Sequence, residues 1–511
     1  MVIETEAVRA GKETTRRNEN LLSVIEDRVD AFRWRERVVF HEGDAAYTFA
    51  EVFEGSNTVA ANLVDAGVRG GDRLLMALPD SWEFVVTFLG ALRIGAVPIP
   101  MNPEIHADER AQLVARSSAR LVVSSVAMPG QACVDPTALL APRSRGAAAT
   151  GIAHRTHDEI AYGVFSSGTT GLPKIIFHSH GDPVVFTSAF ASHLGIGPGD
   201  TSVSAARMCF AAGLGNSFFF PLLRGSAAVL SRPRLTPERA ASLIGKHAAT
   251  MLYGPPSFYG HILADGFGDR LCALRLAACG GAVLPLVLEQ RLRAYLDDRL
   301  VNIFGSSEIG HAMVVNGPGY QQEGASGRVL PPYDARVVDD AGSVAPPGVE
   351  GKLQVSGTTI TLGVERADAS PVRFGATEWY GTGDAATIDA EGFVRISGRL
   401  DDLEIVGAQN VHPAEIESVL LGLDEIRNAV VYSSVQPDGQ PLLKALIVPA
   451  DRRADEGDLL GLVQAHVGKH LSWYKVPQIV ELTDEIPLTA FGKIDRKAIR
   501  KRAHQASLKT A

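Results

Sequence analysis

In the first part of the chain, apolar positions follow two different spacings in turn. In NTVAANLVDAG (57–67) they recur at intervals of three and four, and RLLMALP (73–79) follows as a short unbroken apolar run. The same succession returns in EFVVTFLGALRIG (83–95) before AVPIPM (96–101), and RLVVSS (120–125) adds a further run. The first spacing lays apolar side chains along one face of a helix, whereas short runs rich in Val, Ile and Leu are buried strands. Strands that alternate with helices predict parallel βαβ units. APRSRGAAATGIAHRTHD (141–158) interrupts the pattern and reads as an exposed connection. Alternation resumes through SAAVLS, ATMLYG, LRLAACGG and LVNIFG, after which DARVVDDAGSV and EGKLQVSG read as antiparallel strands joined by turns. GRLDD (398–402) then packs charge between two strand-like runs, and a shorter mixture of helix and strand leads to a basic tail. The predicted class is α/β: a large N-terminal domain of parallel βαβ subdomains with a small β-rich subdomain, followed by a small α+β C-terminal domain.

Composition narrows what such a chain does. At 511 residues it exceeds one compact core, and about 150 residues per domain suggests roughly three units. Residues are 46% hydrophobic, yet no run approaches the roughly 20 apolar residues that cross a bilayer. The first 20 residues, MVIETEAVRAGKETTRRNEN, are charged, lack the apolar centre of a secretory signal, and are expected to be disordered. A cytoplasmic protein is the expectation. The net charge of −9, with no block of Lys or Arg, offers no footprint for nucleic acid or a membrane and favours small-molecule partners. Cys133, Cys209, Cys272 and Cys279 show no CxxC or metal-site spacing and read as reduced, mostly buried thiols.

One short stretch changes the picture. SSGTTGLPK (166–174) follows the apolar run YGVF. Gly168 and Gly171 allow backbone N–H groups to converge on an anion, Ser166, Ser167, Thr169 and Thr170 add hydroxyl donors, and Lys174 adds a compact positive charge. This is chemistry for phosphate, but the spacing is not that of a Walker P-loop, GxxxxGK[ST].

Five more strings accompany it: FGSSE (304–308), WYGTGD (379–384), GRLDD (398–402), HPAEIE (412–417) and PLTAFGK (487–493). Together and in this order they resemble the acyl-adenylate-forming superfamily of acyl-CoA synthetases, adenylation domains and beetle luciferases, from about residue 20 to 502. The resemblance implies ATP and Mg²⁺ as cofactors and a carboxylate driven onto the α-phosphate, an encounter of like charges that must be neutralised. It implies that Glu308 holds Mg²⁺ through hard carboxylate oxygen and that Ser307 donates to the α-phosphate. Phe304 would stack on adenine beside Gly305 and Ser306, while Gly281 and Ala282 let adenine and acid approach the backbone. Asp384 would accept from the ribose hydroxyls with Arg399 as a second anchor, and Lys493 would support the charge that develops during adenylation. Domains of 21–399 and 400–511 are implied, with the smaller, mobile one rotating about a hinge at Asp401.

AARMCFAAGLGNSFFFPLLRG (205–225), MLYGPPSFYG (251–260) and the placing of His311 are similar to the benzoate-CoA ligase branch. That likeness implies an aryl-acid pocket formed by Phe210, Ala211, Ala212, Gly213, Gly281, Ile309 and His311. Benzoate-CoA ligases usually have Tyr where Ala212 stands, so a larger or substituted ring is expected. In LEIVGAQNVHP (403–413), Ile405 and Ala408 replace the family's usual lysine and glycine in the loop that meets the thiol, and Gly407 offers backbone freedom one position early. The expected activity is an AMP-forming acid–thiol ligase that converts an aromatic acid to acyl-AMP and then to a thioester with CoA. Loading of a carrier-protein phosphopantetheine is the rival reading; a luciferase-like oxygenase and a silent adenylate-binding protein are more remote.

Overall fold

The structure, a computed structural model, describes residues 18–502 apart from 106, 129–132, 143–149, 168–172, 362, 367–368, 373–377, 407–408, 436–440, 452–453 and 490–493. Its largest sheet orders Arg328–Val329, Ala312–Asn316, Leu300–Gly305, Leu276–Gly280, Met251–Gly254, Thr201–Ser204, Ala227–Leu230, Val38–Glu42 and Ala45–Thr48. The six strands from Leu300–Gly305 to Val38–Glu42 pair in parallel, and the antiparallel strands lie outside them. Met251–Gly254 and Ala227–Leu230 are buried at every position, as parallel strands covered on both faces must be. A second parallel sheet joins Val97–Pro100, Arg73–Ala77, Leu121–Ser124 and Cys133–Val134. The βαβ expectation for the early chain is thereby met.

Local chemistry sets the helices between these strands. Phe49–Asp65 starts at a reciprocal cap in which the Glu51 N–H donates to Thr48 Oγ1 and the Thr48 N–H donates to Glu51 Oε2. It buries Val52, Phe53, Ser56, Val59, Ala60 and Leu63, the face that the three- and four-residue spacing describes. Trp82–Arg93 begins at a Ser81 cap and is buried nearly all round, a helix held between other elements rather than on a surface.

The strands that flank the glycine-rich stretch belong to a different kind of sheet. Ile160–Ser167 and Pro173–Ser179 form an antiparallel hairpin in which Ser166 pairs with Lys174, extended by Gly363–Arg366 and Ala369–Val372. The strands on either side of residues 168–172 thus pair with each other, whereas a Walker P-loop stands between a strand and a helix. The β-rich subdomain is an antiparallel sheet of Asp334–Val338, Gly351–Ser356, Tyr380–Ile388 and Val394–Arg399. After the short turn Leu400–Asp402 come a small hairpin and a three-stranded sheet, Ile426–Val435, Pro441–Pro449 and Ile479–Leu482, packed with the helices Pro413–Leu420 and Glu456–His470. Among the described residues no helix is long and apolar enough to cross a membrane.

Two expectations need correction. Residues 18–20 do not belong to a disordered start: Asn20 is fully buried, caps Leu21–Ala31 and donates to the Leu92 carbonyl at 2.8 Å, while Asn18 Nδ2 reaches the Ala153 carbonyl. Satisfying these buried backbone groups anchors the segment; residues 1–17 are outside the described set. The four thiols are free, but only Cys209 and Cys279 are buried, whereas Cys133 and Cys272 are exposed.

Candidate functional site

Three parallel strands of the large sheet end on the expected site residues. Thr201–Ser204 leads to Phe210, Leu276–Gly280 to Gly281 and Ala282, and Leu300–Gly305 to the turn at 306–311. These are carboxyl ends of parallel strands, where open α/β sheets leave a crevice for ligands. Gly281 and Ala282 are exposed, and Gly281 has φ +87°, a left-handed conformation that favours glycine. Phe304 and Gly305 are half-buried, with Phe304 packed against the core of the β-rich subdomain.

The hairpin strand Pro173–Ser179 meets that turn. Lys174 Nζ donates to Glu308 Oε1 at 2.5 Å, with the two side chains 14% and 10% exposed. Burial pushes the Glu308 carboxyl up, but the charge and hydrogen bond of Lys174, with smaller help from the Glu308 amide and Ser306, more than offset it and hold the group below its ordinary range. The two groups expected to carry opposite charges at the nucleotide are thus paired with one another across a separation of 134 residues. Ser166 lies opposite Lys174 in the hairpin; Gly168, Thr169, Thr170 and Gly171 lie outside the described residues, as does the Ser167 side chain.

The turn itself is clamped on successive carbonyls. His178 Nε2 donates to Ser307 O at 2.7 Å, Thr361 N to Glu308 O at 2.8 Å and Thr359 Oγ1 to Ile309 O at 2.7 Å. Ser306 O accepts from the Ile309 and Gly310 amides, both at 3.2 Å. Sequence reasoning missed His178, Thr359 and Thr361. The signal for His178 was present, because residues 174, 176 and 178 of a strand share one face.

Asp384 and Arg399 are register partners on adjacent strands. Arg399 Nη1 lies 3.6 Å from Asp384 Oδ1 and donates to the Thr382 carbonyl at 2.8 Å, while Nε donates to Asp401 Oδ1 at 3.2 Å. Burial pulls the Arg399 guanidinium down, yet the charges of Asp384, Asp401 and Glu308 raise it overall. That influence brings Glu308 and the Asp384–Arg399 pair into one electrostatic neighbourhood. Asp401, in the turn Leu400–Asp402, is half-exposed. Ion pairs across the expected joint run from Arg291 to Asp424 and from Asp265 to Arg427, each at 3.5 Å. Lys493, Gly407 and Ala408 lie outside the described residues.

The expected aryl-pocket residues divide. His311 is buried, with ring centroids of Phe220, Phe190 and Phe186 at 4.7, 4.8 and 6.1 Å. Its Nε2 meets Asn216 Oδ1 at 3.0 Å, and burial pushes the imidazole down to about 3, so the ring is neutral. Asn216, which sequence reasoning did not single out, sits in a π-helical turn, Gly215–Phe219, that interrupts the helical run from Ala211; such turns are frequent at functional sites. Ala211 and Gly213 are buried and Ala212 is exposed. Ile309 is fully buried in the β-rich subdomain's core. Phe210 borders a small apolar cavity with Met101, Ile105, Phe165 and Cys209 that touches none of the other expected pocket residues.

This arrangement has known counterparts. The AMP-binding enzyme family matches residues 26–364, and the AMP-binding enzyme C-terminal domain matches residues 415–493. The chain belongs to the AMP-binding enzyme family. It is 34% identical over 493 residues to the p-hydroxybenzoic acid–AMP ligase FadD22 of Mycobacterium tuberculosis, covering 95% of this chain and 69% of that protein. It is 32% identical to the benzoate–CoA ligase of Thauera aromatica, covering 91% and 92%. The anthranilate CoA ligase AuaEII, solved in complex with anthranoyl-AMP, superposes with a TM-score of 0.86 at 25% identity over 96% of this chain and 98% of that one. The benzoate CoA ligase from Burkholderia xenovorans LB400 gives 0.81 at 26% identity, over 93% and 99%. This AMP-binding enzyme is therefore an acyl-adenylate-forming protein of the aryl-CoA ligase branch, with the mixed α/β architecture of that superfamily.

Proposed function

We propose that this AMP-binding enzyme uses ATP to convert an aromatic carboxylic acid, a substituted benzoate, to its acyl-AMP and pyrophosphate, and then transfers the acyl group to the thiol of CoA. The observation that carries the first step is the convergence of Lys174, Ser307 and Glu308 on one turn at the carboxyl ends of the parallel strands. The glycine hairpin, residues 166 to 174, holds the phosphates, Asp384 and Arg399 fix the ribose, and Lys493 supports the charge that develops between carboxylate and α-phosphate. Glu308 is a buried carboxylate kept ionised by Lys174, which suits Mg²⁺. Among the described residues no cluster of three His, Cys, Asp or Glu accompanies it, so phosphate oxygens and water would complete the coordination that this hard cation needs. Bound Mg²⁺ would neutralise phosphate charge.

The aromatic acid is supported by the relatives named for p-hydroxybenzoate and benzoate. The phenylalanine-walled, neutral His311 suits an uncharged ring, and the small side chain at Ala212 leaves room for a substituent. The domains are residues 21–399 and 400–511, and rotation about Asp401 withdraws the Lys493 loop and brings the Gly407–Ala408 loop to the adenylate for thioester formation. A second reading, delivery to a carrier-protein phosphopantetheine, is favoured by the 34%-identical relative, which is named for AMP ligation rather than for CoA. The experiment that tests both is pyrophosphate release over a set of substituted benzoates, first without acceptor and then with CoA or with phosphopantetheinylated carrier protein. Release that CoA accelerates, with acyl-CoA as product, supports the proposal; acylation of carrier alone replaces its second half.

A further inference from the structure

His178 is a fully enclosed titratable group against the proposed site. Its side chain is fully buried, with the Tyr162 ring stacked on it at 5.2 Å, and Gly310 packs so closely that an added Cβ would lie 3.3 Å from His178 Cε1. Both ring nitrogens face acceptors. Nε2 meets the Ser307 carbonyl at 2.7 Å, and Nδ1 meets Asp182 Oδ2 at 2.9 Å. A carbonyl only accepts, so Nε2 carries a proton. Asp182 also accepts from the Ser179 amide at 3.1 Å and from Ser179 Oγ at 2.7 Å, which is the partner set of an ionised carboxylate. The Nδ1 side therefore also donates.

We infer that His178, held as an imidazolium by Asp182, is the positioning residue that aims Ser307 and Glu308 at the nucleotide; the inference rests on the adenylation proposed above. Three observations converge on it. Lys174 and His178 stand on one face of a single strand and reach consecutive residues, Glu308 and Ser307, so the strand acts on the turn at two points. Thr361, which holds the Glu308 carbonyl, also donates to the Phe177 carbonyl at 3.2 Å, closing the same strand and turn into one unit. Asp182 is itself held in place: beside His178, its carboxylate accepts from the Ser179 amide and hydroxyl, and its own amide donates to Ser179 Oγ at 3.3 Å. An orienting carboxylate that fixes the protons of a histidine is a known way to set the atom on the far side of the ring.

Asp182→Asn tests this with little change in volume. The amide oxygen can still take the Nδ1 proton and the amide N–H can reach Ser179 Oγ, but the ring becomes neutral and turns an unprotonated Nε2 towards the Ser307 carbonyl. The expected result is a loss of about 10- to 100-fold in kcat for acid-dependent pyrophosphate release, the usual range for an orienting partner, with KM for ATP unchanged. His178→Gln, which keeps a donor for Ser307 O, is expected to retain more of kcat than Asp182→Asn. The independent readout is ¹⁵N NMR of histidine-labelled protein, with the His178 signals assigned by their loss in His178→Gln. Both nitrogens should be protonated in the unaltered enzyme and one in Asp182→Asn. An unchanged kcat in folded Asp182→Asn, or a neutral His178 ring in the unaltered enzyme, overturns the inference. Failure of the unaltered enzyme to release pyrophosphate with any aromatic acid would instead refute the proposed function, and the NMR result alone would then decide whether the His178–Asp182 ion pair exists.

Discussion

Replacing Lys174 by methionine removes the cation beside Glu308 while preserving most of the side-chain volume. Glu308 then remains buried without the charge that offsets its burial, so its carboxyl should rise from below its ordinary value of 4.5 to above it. Removing one partner of a buried pair costs about 3–5 kcal/mol, and the partial exposure of these side chains, 14% and 10%, favours the lower end. With roughly 2.1 cal/mol/K of unfolding entropy per residue, a unit of about 380 residues has about 0.8 kcal/mol/K, so a penalty of about 3 kcal/mol lowers Tm by about 4 °C. The sign of the pH dependence is the sharper test. In the unaltered protein, Glu308 contributes stability above pH 4.5 that is lost as pH falls through its lowered value. In Lys174→Met the raised carboxyl imposes a penalty at neutral pH, and that penalty is relieved as pH falls towards 4.5. Calorimetric melting at about pH 7.5 and about pH 4.5 should therefore show the gap between variant and parent narrowing on acidification, and Glu308→Gln in the same background should abolish the narrowing. A gap independent of pH, or no gap, would refute the idea that Lys174 is what keeps Glu308 ionised.

Lys493→Ala should slow adenylation by about 10²–10³-fold while sparing thioester formation from supplied acyl-AMP; rapid-quench measurement of each half-reaction checks this, and equal damage to both would remove the role. A substituted benzoate should outperform benzoate, and Ala212→Tyr should reverse the order by roughly 10–200-fold in kcat/KM; a preference for benzoate in the unaltered enzyme would contradict it. Gly383→Ala should raise KM for ATP by disturbing the Asp384–Arg399 pair, and should separately lower stability, since left-handed alanine costs roughly 1–2 kcal/mol. Gly383 has φ +78°, and its added Cβ would lie 2.7 Å from Arg399 Nη2, displacing the guanidinium from Asp384. An unchanged KM would detach that pair from the ribose.

What the sequence disclosed divides along physical lines. The early βαβ units were legible because helix and strand periods are local, and the motif strings were legible because a glycine-rich anion loop or a Ser-Ser-Glu turn is written in adjacent residues. The pairing of the strands on either side of 168–172 was not, since it depends on Pro173–Ser179 returning alongside Ile160–Ser167. The Lys174–Glu308 and His178–Ser307 contacts span 134 and 129 residues, and no local period encodes such pairings. Asn216 was hidden because its side-chain partners, His311 and Ser204, lie 95 and 12 residues away in the chain. Conversely, Asn18–Asn20 reads as polar terminus, and only tertiary contacts to Leu92 and Ala153 reveal it as an anchor.

The central claim, that this chain forms an aryl-adenylate, is tested most directly by ATP–pyrophosphate exchange with Mg²⁺ and no thiol acceptor. The account predicts exchange that depends on an aromatic acid, is highest with a substituted benzoate and yields the acyl-AMP by mass spectrometry. Exchange absent with every aromatic acid, or supported by aliphatic acids instead, would contradict it.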